Sequence, residues 1–461
     1  MTAPEDETLS GDQAWRSGDQ AWRRRGGRLH PLTPIVRAAR VLVSLAALGT
    51  YNLEKVRHAG WWLPVIVVGV LIVGLAASAL SWAFTRFAID GGEVHIDSGV
   101  LFRRSRQVRI DRLQAIDIVQ PLLARALGLA ELKLDMAGGA EGRVRLGYLR
   151  LEEAQALRAA LLAMAAGLDH RTPEAPQRPL VHCSGGAIVG SALLSTPALI
   201  GFIWVAAFLA GAIASGHPGV FTGALAGVIS VFSAVWQTIQ QHFGFTVADS
   251  PDGLRLRHGL FETRAQTVPP GRVQAVRIVQ PLLWRVFGWV RVDANIAGYA
   301  GHRAEDGRQH NSVLLPVGSR EQALLVVGRA LPGVDIDTVP MTRVPGRAKW
   351  RSPLLWWTYR AGADEAIVSV RSGLLTKAHA VMRHEKIQSV RLSVGPWQRA
   401  LRLATVHVDS TKGPVEVVLR HRDLGEGRRI VDAEVVRAER GRAMRLPDRW
   451  MTTNSGPATT R

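Results

Sequence analysis

The feature that most constrains this chain is that it repeats itself. The segment from Ser98, SGVLFRRSRQVRIDRLQAIDIVQPLLARALGLAELKLDMAGG, has counterparts starting at His258 and at Ser372. The three align without a gap at Gly99, Gly259 and Gly373, at Arg112, Arg272 and Lys386, and at Gln114, Gln274 and Gln388. Ile118-Val-Gln-Pro-Leu-Leu123 recurs identically at 278–283, whereas the third copy reads Ser393-Val-Gly-Pro396. Pro121, Pro281 and Pro396 therefore mark the same stretch in each copy. Self-similarity of this length means that one supersecondary unit is built three times, so the fold must accommodate all three copies.

Each copy has the grammar of a small β domain. Ala88-Ile and Val94-His-Ile alternate apolar and polar residues, Ser98-Gly99 supplies a turn, and the chain returns. A glycine there suits a backbone with positive φ. Gln107–Asp111 and Ile116–Val119 read as two more strands, and Pro121 ends the ladder because it has no N–H to donate. One helical turn over 122–128 and a strand over Glu131–Asp135 follow. Each copy then closes with a helix, at about 151–165, 319–331 and 424–440, the first with acids in its first turn.

Between the copies lie apolar stretches long enough to cross about 30 Å of hydrocarbon. Residues 61–84 contain no charge and carry Trp61, Trp62 and Trp82 at their ends, where interfacial aromatics belong. Residues 185–213 and 219–241 are also uncharged; 35–53 is weaker, with Arg37 and Arg40 near its start. The spans form two hairpins turning near 54–60 and 215–219. Arginines flank the outer ends, Arg16, Arg23, Arg24, Arg25 and Arg28 on one side and Arg86, Arg103, Arg104, Arg106 and Arg109 on the other. Lys55 and Arg57 in the first turn weigh mildly the other way, but the balance predicts that both termini and all large domains are cytoplasmic, in a multi-pass plasma-membrane protein. Gly190, Gly211, Gly223 and Gly227 read as helix-packing positions.

The organisation expected is a disordered basic tail over 1–33, transmembrane hairpin 1 over 34–84, a first β domain over 85–166, a linker over 167–184, and hairpin 2 over 185–241. A second β domain over 242–333, a linker over 334–355, a third β domain over 356–442 and a disordered tail over 443–461 complete it. The repeats resemble the bacterial pleckstrin-homology-like (PH-like) membrane proteins of the YdbT type, in which membrane hairpins alternate with PH-like domains. The resemblance covers about residues 35–440 and rests on the turn glycines, the Arg/Lys-x-Gln element and the proline segment after it. It implies two near-orthogonal antiparallel sheets, or a partly open barrel, capped by a C-terminal helix. It brings no enzymatic activity and no binding residues. The third copy departs from the pattern in having no hairpin before it; only Trp350–Tyr359 reads as a surface candidate there, beside the simpler reading as the start of a strand.

The chain carries 57 Lys and Arg against 38 Asp and Glu, and only six of the basic residues are Lys. An arginine-rich surface suits oxyanions, but there is no aromatic platform for nucleic acid and the charge adjoins the spans. No nucleophile elbow, phosphate loop or dinucleotide motif is present. His379 and His384 lack the helical spacing of a metal pair, and the lone Cys183 reads as a filler at the membrane border rather than as a ligand or an acylation site. Neither catalytic residues, nor a metal, nor a cofactor is expected. What is left is binding: a scaffold that holds a protein partner or forms a homo-oligomer, in contact with membrane lipids. A transporter or channel component is the alternative, weakened by the lack of acids within the spans. A further alternative is an anionic-lipid sensor through Arg103, Arg104, Arg106 and Arg109 of the first copy.

Overall fold

A computed structural model describes residues 27–28, 33, 68–69, 72–76, 79–80, 83–84, 86–90, 93–98, 104–109, 113–136, 143–165, 177–216, 218–251, 253–269, 271–297 and 312–444. The expected span 35–53, most of 61–84 and the tail 445–461 lie outside them. The chain divides into two compact units, Met1–Ala137 with Arg143–Glu174, and Gly138–Gly142 with Ala175–Arg461.

In the first unit, β1 (Gly27–Arg28), β2 (Arg86–Asp90), β3 (Glu93–Ser98) and β4 (Arg104–Arg109) form an antiparallel sheet in that order. β5 (Leu113–Pro121), β6 (Leu129–Met136) and β7 (Arg143–Arg150) form an antiparallel ladder. Helix α1 (Leu122–Ala126) connects β5 to β6, and Gly128 releases it with φ +67°. Helix α2 (Leu151–Ala165) then packs across the ladder, burying Ala154, Leu157, Leu161 and Leu162 on a core that includes Ile116, Leu132, Leu134 and Leu146.

The second unit holds the other two copies. β8 (Arg178–His182), β9 (Thr246–Ser250), β10 (Gly253–His258) and β11 (Glu262–Val268) are hydrogen-bonded neighbours in sequence. Between β8 and β9 rise α3 (Gly185–Leu193), α4 (Thr196–Ser215) and α5 (Pro218–His242). β12 (Val273–Pro281), β13 (Val290–Ile296) and β14 (Val313–Gly318) follow, capped by α6 (Arg320–Ala330), whose Ser319 and Gln322 make a reciprocal capping box. The third copy runs β15 (Thr342–Arg343), β16 (Arg360–Ala363), β17 (Ile367–Ser372) and β18 (Thr376–Arg383). It continues through β19 (Ser389–Ser393), α7 (Pro396–Ala400), β20 (Leu403–Asp409), β21 (Val417–Asp423) and α8 (Leu424–Ala443). Asp423 caps α8 by accepting from the backbone N–H groups of Gly425 at 2.9 Å and Glu426 at 3.3 Å. Each copy is thus a four-stranded and a three-stranded antiparallel ladder with a closing helix, and the sheets stay open.

The strands correct the domain limits read from sequence. β1 falls in the expected tail 1–33, β8 in the linker 167–184 and β15 in the linker 334–355, yet each pairs with the strand after the insert, Arg28 with Arg86, His182 with Thr246 and Arg343 with Arg360. In the second copy the membrane hairpin is therefore inserted into the domain between its first and second strands. The first strands are two to five residues long, too short to show a clear period of two.

α4 and the Gly223–His242 part of α5 are long and apolar enough to cross a membrane, with mean hydropathy 2.2 and 1.3 and only 11% of each window buried. Ile203, Trp204, Ile213, Ile229 and Phe232 face outward, the reverse of a soluble helix pair. The expected span 185–213 is broken in two because Ser195 accepts from the Ala198 N–H as an N-cap and Pro197 opens a new helix. Where the two spans cross, Gly201 leaves no room for a Cβ beside Val231, and Gly223 and Gly227 meet Phe208 and Val205. Gly190 instead faces Trp289 of the domain, and Gly211 faces open space, so neither is a contact between the two spans.

Candidate interaction surfaces

The arrangement with the clearest functional content is the way the second and third copies join. Their strands form one seven-stranded sheet, β14-β13-β12-β18-β17-β16-β15. At the seam, β12 pairs antiparallel with β18 from Ala275↔Met382 to Pro281↔Thr376. The main chain supplies the attraction, as in any strand addition to an exposed edge. Ala275 of the second copy shares a buried cluster with Val368, Met382, Val406 and Val417 of the third.

Asn295 locks this joint. It is buried on β13, and its side-chain amide donates to the carbonyl oxygens of Val415 at 2.7 Å and Thr411 at 3.3 Å, while its carbonyl accepts from the Val415 N–H at 2.8 Å. The side chain satisfies a loop backbone that has no ladder partner of its own. Gly413 sits against it, where a Cβ would overlap the amide. Sequence reading did not single out Asn295, which follows Arg291 and Asp293 at every second position of Val290–Ile296 and so reads as one more polar position of an alternating strand.

The repeat signature now has a physical reason. The ladder skips a residue between Leu113 and Ala115 and between Val273 and Ala275, so Gln114 and Gln274 are bulge positions. Gln274 Nε2 donates to the Arg272 carbonyl at 3.1 Å. Gln388 stands just before β19, its N–H bonded to Asp409 O at 2.9 Å. Gly259 and Gly373 have φ of +113° and +98°, and a Cβ on them would overlap the carbonyl oxygens of Glu262 and Thr376. Pro121 and Pro281 end their strands, whereas Pro396 opens a helix. Gly99, Arg103 and Arg112 lie outside the described residues. Arg104, Arg106 and Arg109 lie on β4, where alternation puts positions 104 and 106 on one face of the sheet and 109 on the other.

Among the terminal strands, two are counterparts of the strands that form the seam. β19 is the third copy's counterpart of β12, and among the described residues no strand lies on its outer side. β4 is the first copy's counterpart of β18, and it too is terminal in its sheet. β19 is short and charged, with Arg391 donating to Asp409 at 2.7 and 3.1 Å. Such an edge resists indiscriminate pairing.

His379, His384 and His421 are each packed against a side-chain partner. His379 is buried on β18 with Nε2 2.7 Å from Ser369 Oγ, and His384 Nδ1 lies 2.8 Å from Glu434 in the core under α8. His421 is a buried residue of β21 within reach of Ser352 and Gln398. Among the described residues no His, Cys, Asp and Glu cluster could hold a metal ion. At the foot of the hairpin a cavity of about 190 Å³ is lined by Ser191, Thr238, His242, Trp284 and Arg291. His242 Nδ1 and Trp284 Nε1 have no hydrogen-bond partner there.

Residues 40–165, 198–323 and 312–434 each match the family described as Bacterial PH domain. The chain is also similar to the UPF0699 transmembrane protein YdbT of Bacillus subtilis (strain 168), with 24% identity over 321 residues. That match covers 61% of this chain and 64% of the relative, a little under two thirds of its length. These are matches to PH-like domains and to a transmembrane protein, not to enzyme families.

Proposed function

Because the chain belongs to the bacterial PH domain family, we propose that it is a non-catalytic membrane scaffold whose PH-like domains assemble by strand addition, with a second copy of the chain as the first partner. The observation that supports this reading is the β12·β18 seam. The chain already joins two of its domains edge to edge, and it carries the two halves of one more such joint, β19 and β4, in separate sheets. Transferring the seam's register onto them puts Leu392 opposite Ser105 and Arg391 opposite Arg106. The second pair sets like charges face to face, a cost of a few tenths of a kcal/mol to about 1 kcal/mol, offset by the Asp409 carboxylate already held by Arg391. The basic flanks of the hydrophobic stretches favour a cytoplasmic placement of all three domains.

The test is an inter-chain disulfide. Full-length protein with Ser105→Cys and protein with Leu392→Cys, both on a Cys183→Ala background, are co-expressed with different tags and oxidised in native membranes. A crosslinked pair of tags, absent with Arg428→Cys in place of Leu392→Cys, supports assembly. No crosslink, with a stoichiometric foreign protein co-purifying and lost on changing β19, would replace the second copy by that partner. The absence of both a crosslink and a co-purifying partner would sink the scaffold reading.

A further inference from the structure

The third copy has no hairpin, but it does have an insert in the hairpin's place. In the second copy the chain leaves the sheet after His182 and returns at Thr246, having crossed through α4 and α5. In the third it leaves after Arg343 and returns at Arg360. The residues between, 344–359, form two 3-10 turns, Gly346–Trp350 and Trp356–Thr358. This segment is two-faced. Val344 and Ala348 are buried with Leu403, and Trp356 and Tyr359 pack against them. The other side presents Trp350 at 75% exposure, Leu354 at 70% and Trp357 at 43%. Its charged residues are Arg347, Lys349 and Arg351, with no acid among them, and Lys349 Nζ lies 5.5 Å from the Trp350 ring.

The neighbouring turn points the same way. In the second copy the turn after β10 rests on the end of α5: Gly259 N–H donates to Phe243 O at 2.8 Å and Leu260 N–H to Gln240 O at 3.0 Å. Phe261 of that turn meets Trp236 of α5, with ring centroids 6.1 Å apart. In the third copy Gly373 N–H donates to Thr358 Oγ1 at 3.3 Å, so the equivalent turn rests on the end of the insert. Leu374 and Leu375 occupy the places of Leu260 and Phe261 and are exposed. Thr376 Oγ1 then lies 3.4 Å from Thr196 Oγ1, at the first residue of the membrane helix α4. The insert's exposed face and the Leu374–Leu375 tip are thus continuous with the foot of the hairpin, within one compact unit.

We propose that residues 344–359, with Leu374 and Leu375, form an interfacial anchor that seats the third domain on an anionic phospholipid surface. Tryptophan and leucine enter the boundary between headgroups and acyl chains, and Lys349 and Arg351 meet lipid phosphates, whereas Arg347 is held by Asp423. The hairpin of the second copy crosses the bilayer; the insert of the third lies on it. The proposal does not depend on self-assembly.

The experiment uses the full chain in vesicles of phosphatidylcholine, with or without phosphatidylglycerol, containing lipid spin-labelled near the headgroup. On a Cys183→Ala background, an environment-sensitive fluorophore is attached at Trp350→Cys, Leu354→Cys, Leu375→Cys or, as a control on α8, Glu439→Cys. At the first three positions we expect blue-shifted emission and quenching several-fold greater than at 439, strengthened by phosphatidylglycerol. That strengthening should be lost with Lys349→Glu and Arg351→Glu. These residues are exposed, so the fold is not at stake. Quenching no greater than at 439 would overturn the proposal. So would a blue shift without lipid quenching, which would mean that protein covers the face.

Discussion

Replacing Asn295 with alanine is expected to destabilise the second compact unit by about 2–4 kcal/mol, from two buried polar groups left unmatched at about 1–3 kcal/mol each. The substitution strips the Val415 N–H and C=O of partners at 2.8 and 2.7 Å, at a residue that is itself buried. The upper end of that sum is not reached because Gly413 leaves space for water to enter beside the shortened side chain. Asn295→Asp separates the hydrogen bonds from the shape. The carboxylate still accepts from Val415 N–H but has nothing to donate to Val415 O or Thr411 O, and it adds a buried charge. It should therefore cost at least as much as alanine at neutral pH. The readouts are thermal unfolding of the full chain in detergent and hydrogen exchange. Exchange should quicken first at 410–416 and then along β12 and β18. Should Asn295→Ala melt within about 0.5 kcal/mol of the parent, the range of an ordinary surface change, with Val415 still protected, the reasoning that this amide locks the joint is wrong.

Burial, helped by the Arg371 charge, holds His379 neutral by pulling its pKa from 6.5 to about 4. Its contribution is therefore complete above pH 6.5 and is lost as pH falls toward 4, by at most about 3 kcal/mol at roughly 1.4 kcal/mol per pH unit. Melting curves between pH 7 and 4 should fall less steeply for His379→Asn; Asp337, Arg320, Arg371 and Ser369 are the groups that face it. Gly259→Ala and Gly373→Ala should each cost more than about 1 kcal/mol, because both glycines have positive φ and a carbonyl where the methyl would go. Gly186→Ala in α3, with open space around it, should be neutral or stabilising in the same melts. Burial pushes the Cys183 thiol up to about 11, and its Sγ donates to Val317 O at 3.1 Å. Maleimide at pH 7 should leave it untouched until the protein is unfolded, as read by intact mass.

What could be read in the sequence was whatever repeats or has a period. The closing helices were legible because acids at 152–153 and apolar spacing mark the first, and a helix again closes each of the other two copies after a loop of variable length. The second pair of spans was legible because charge is absent from it. Hidden were contacts made at long separation by short segments. β15 is two residues long and finds its place through Thr342↔Ala361, Arg343↔Arg360 and the Arg422 guanidinium that donates to Thr342. The β12·β18 seam could not be inferred from alternation, since Arg277 and Ile278 read as an ordinary half-buried strand whichever neighbour it takes. Asn295 was hidden because it keeps step with Arg291 and Asp293 along the strand, and its partner Val415 lies 120 residues further on.

The hairpin's point of insertion explains why a β domain tolerates sixty-odd foreign residues without a flexible tether. β8 and β9 are ladder neighbours, so the two chain ends that leave for the membrane are already about 5 Å apart, and an antiparallel helix pair has axes only 8–10 Å apart. The ladder even runs beyond the strands, since Cys183 N–H bonds Phe245 O at 2.9 Å. An insert emerging from a ladder inherits its direction, so the domain's tilt against the bilayer is set by sheet hydrogen bonds rather than by a linker. The seam then carries that direction forward. Because β12 and β18 lie in one sheet, the insert of the third copy is held at a fixed setting from the hairpin of the second. Each attachment thereby restricts the other, and seating the third domain costs little further orientational freedom once the hairpin has crossed. A weak interfacial contact of a few tryptophans and leucines is enough under those conditions, which is why the third copy can dispense with a hairpin of its own.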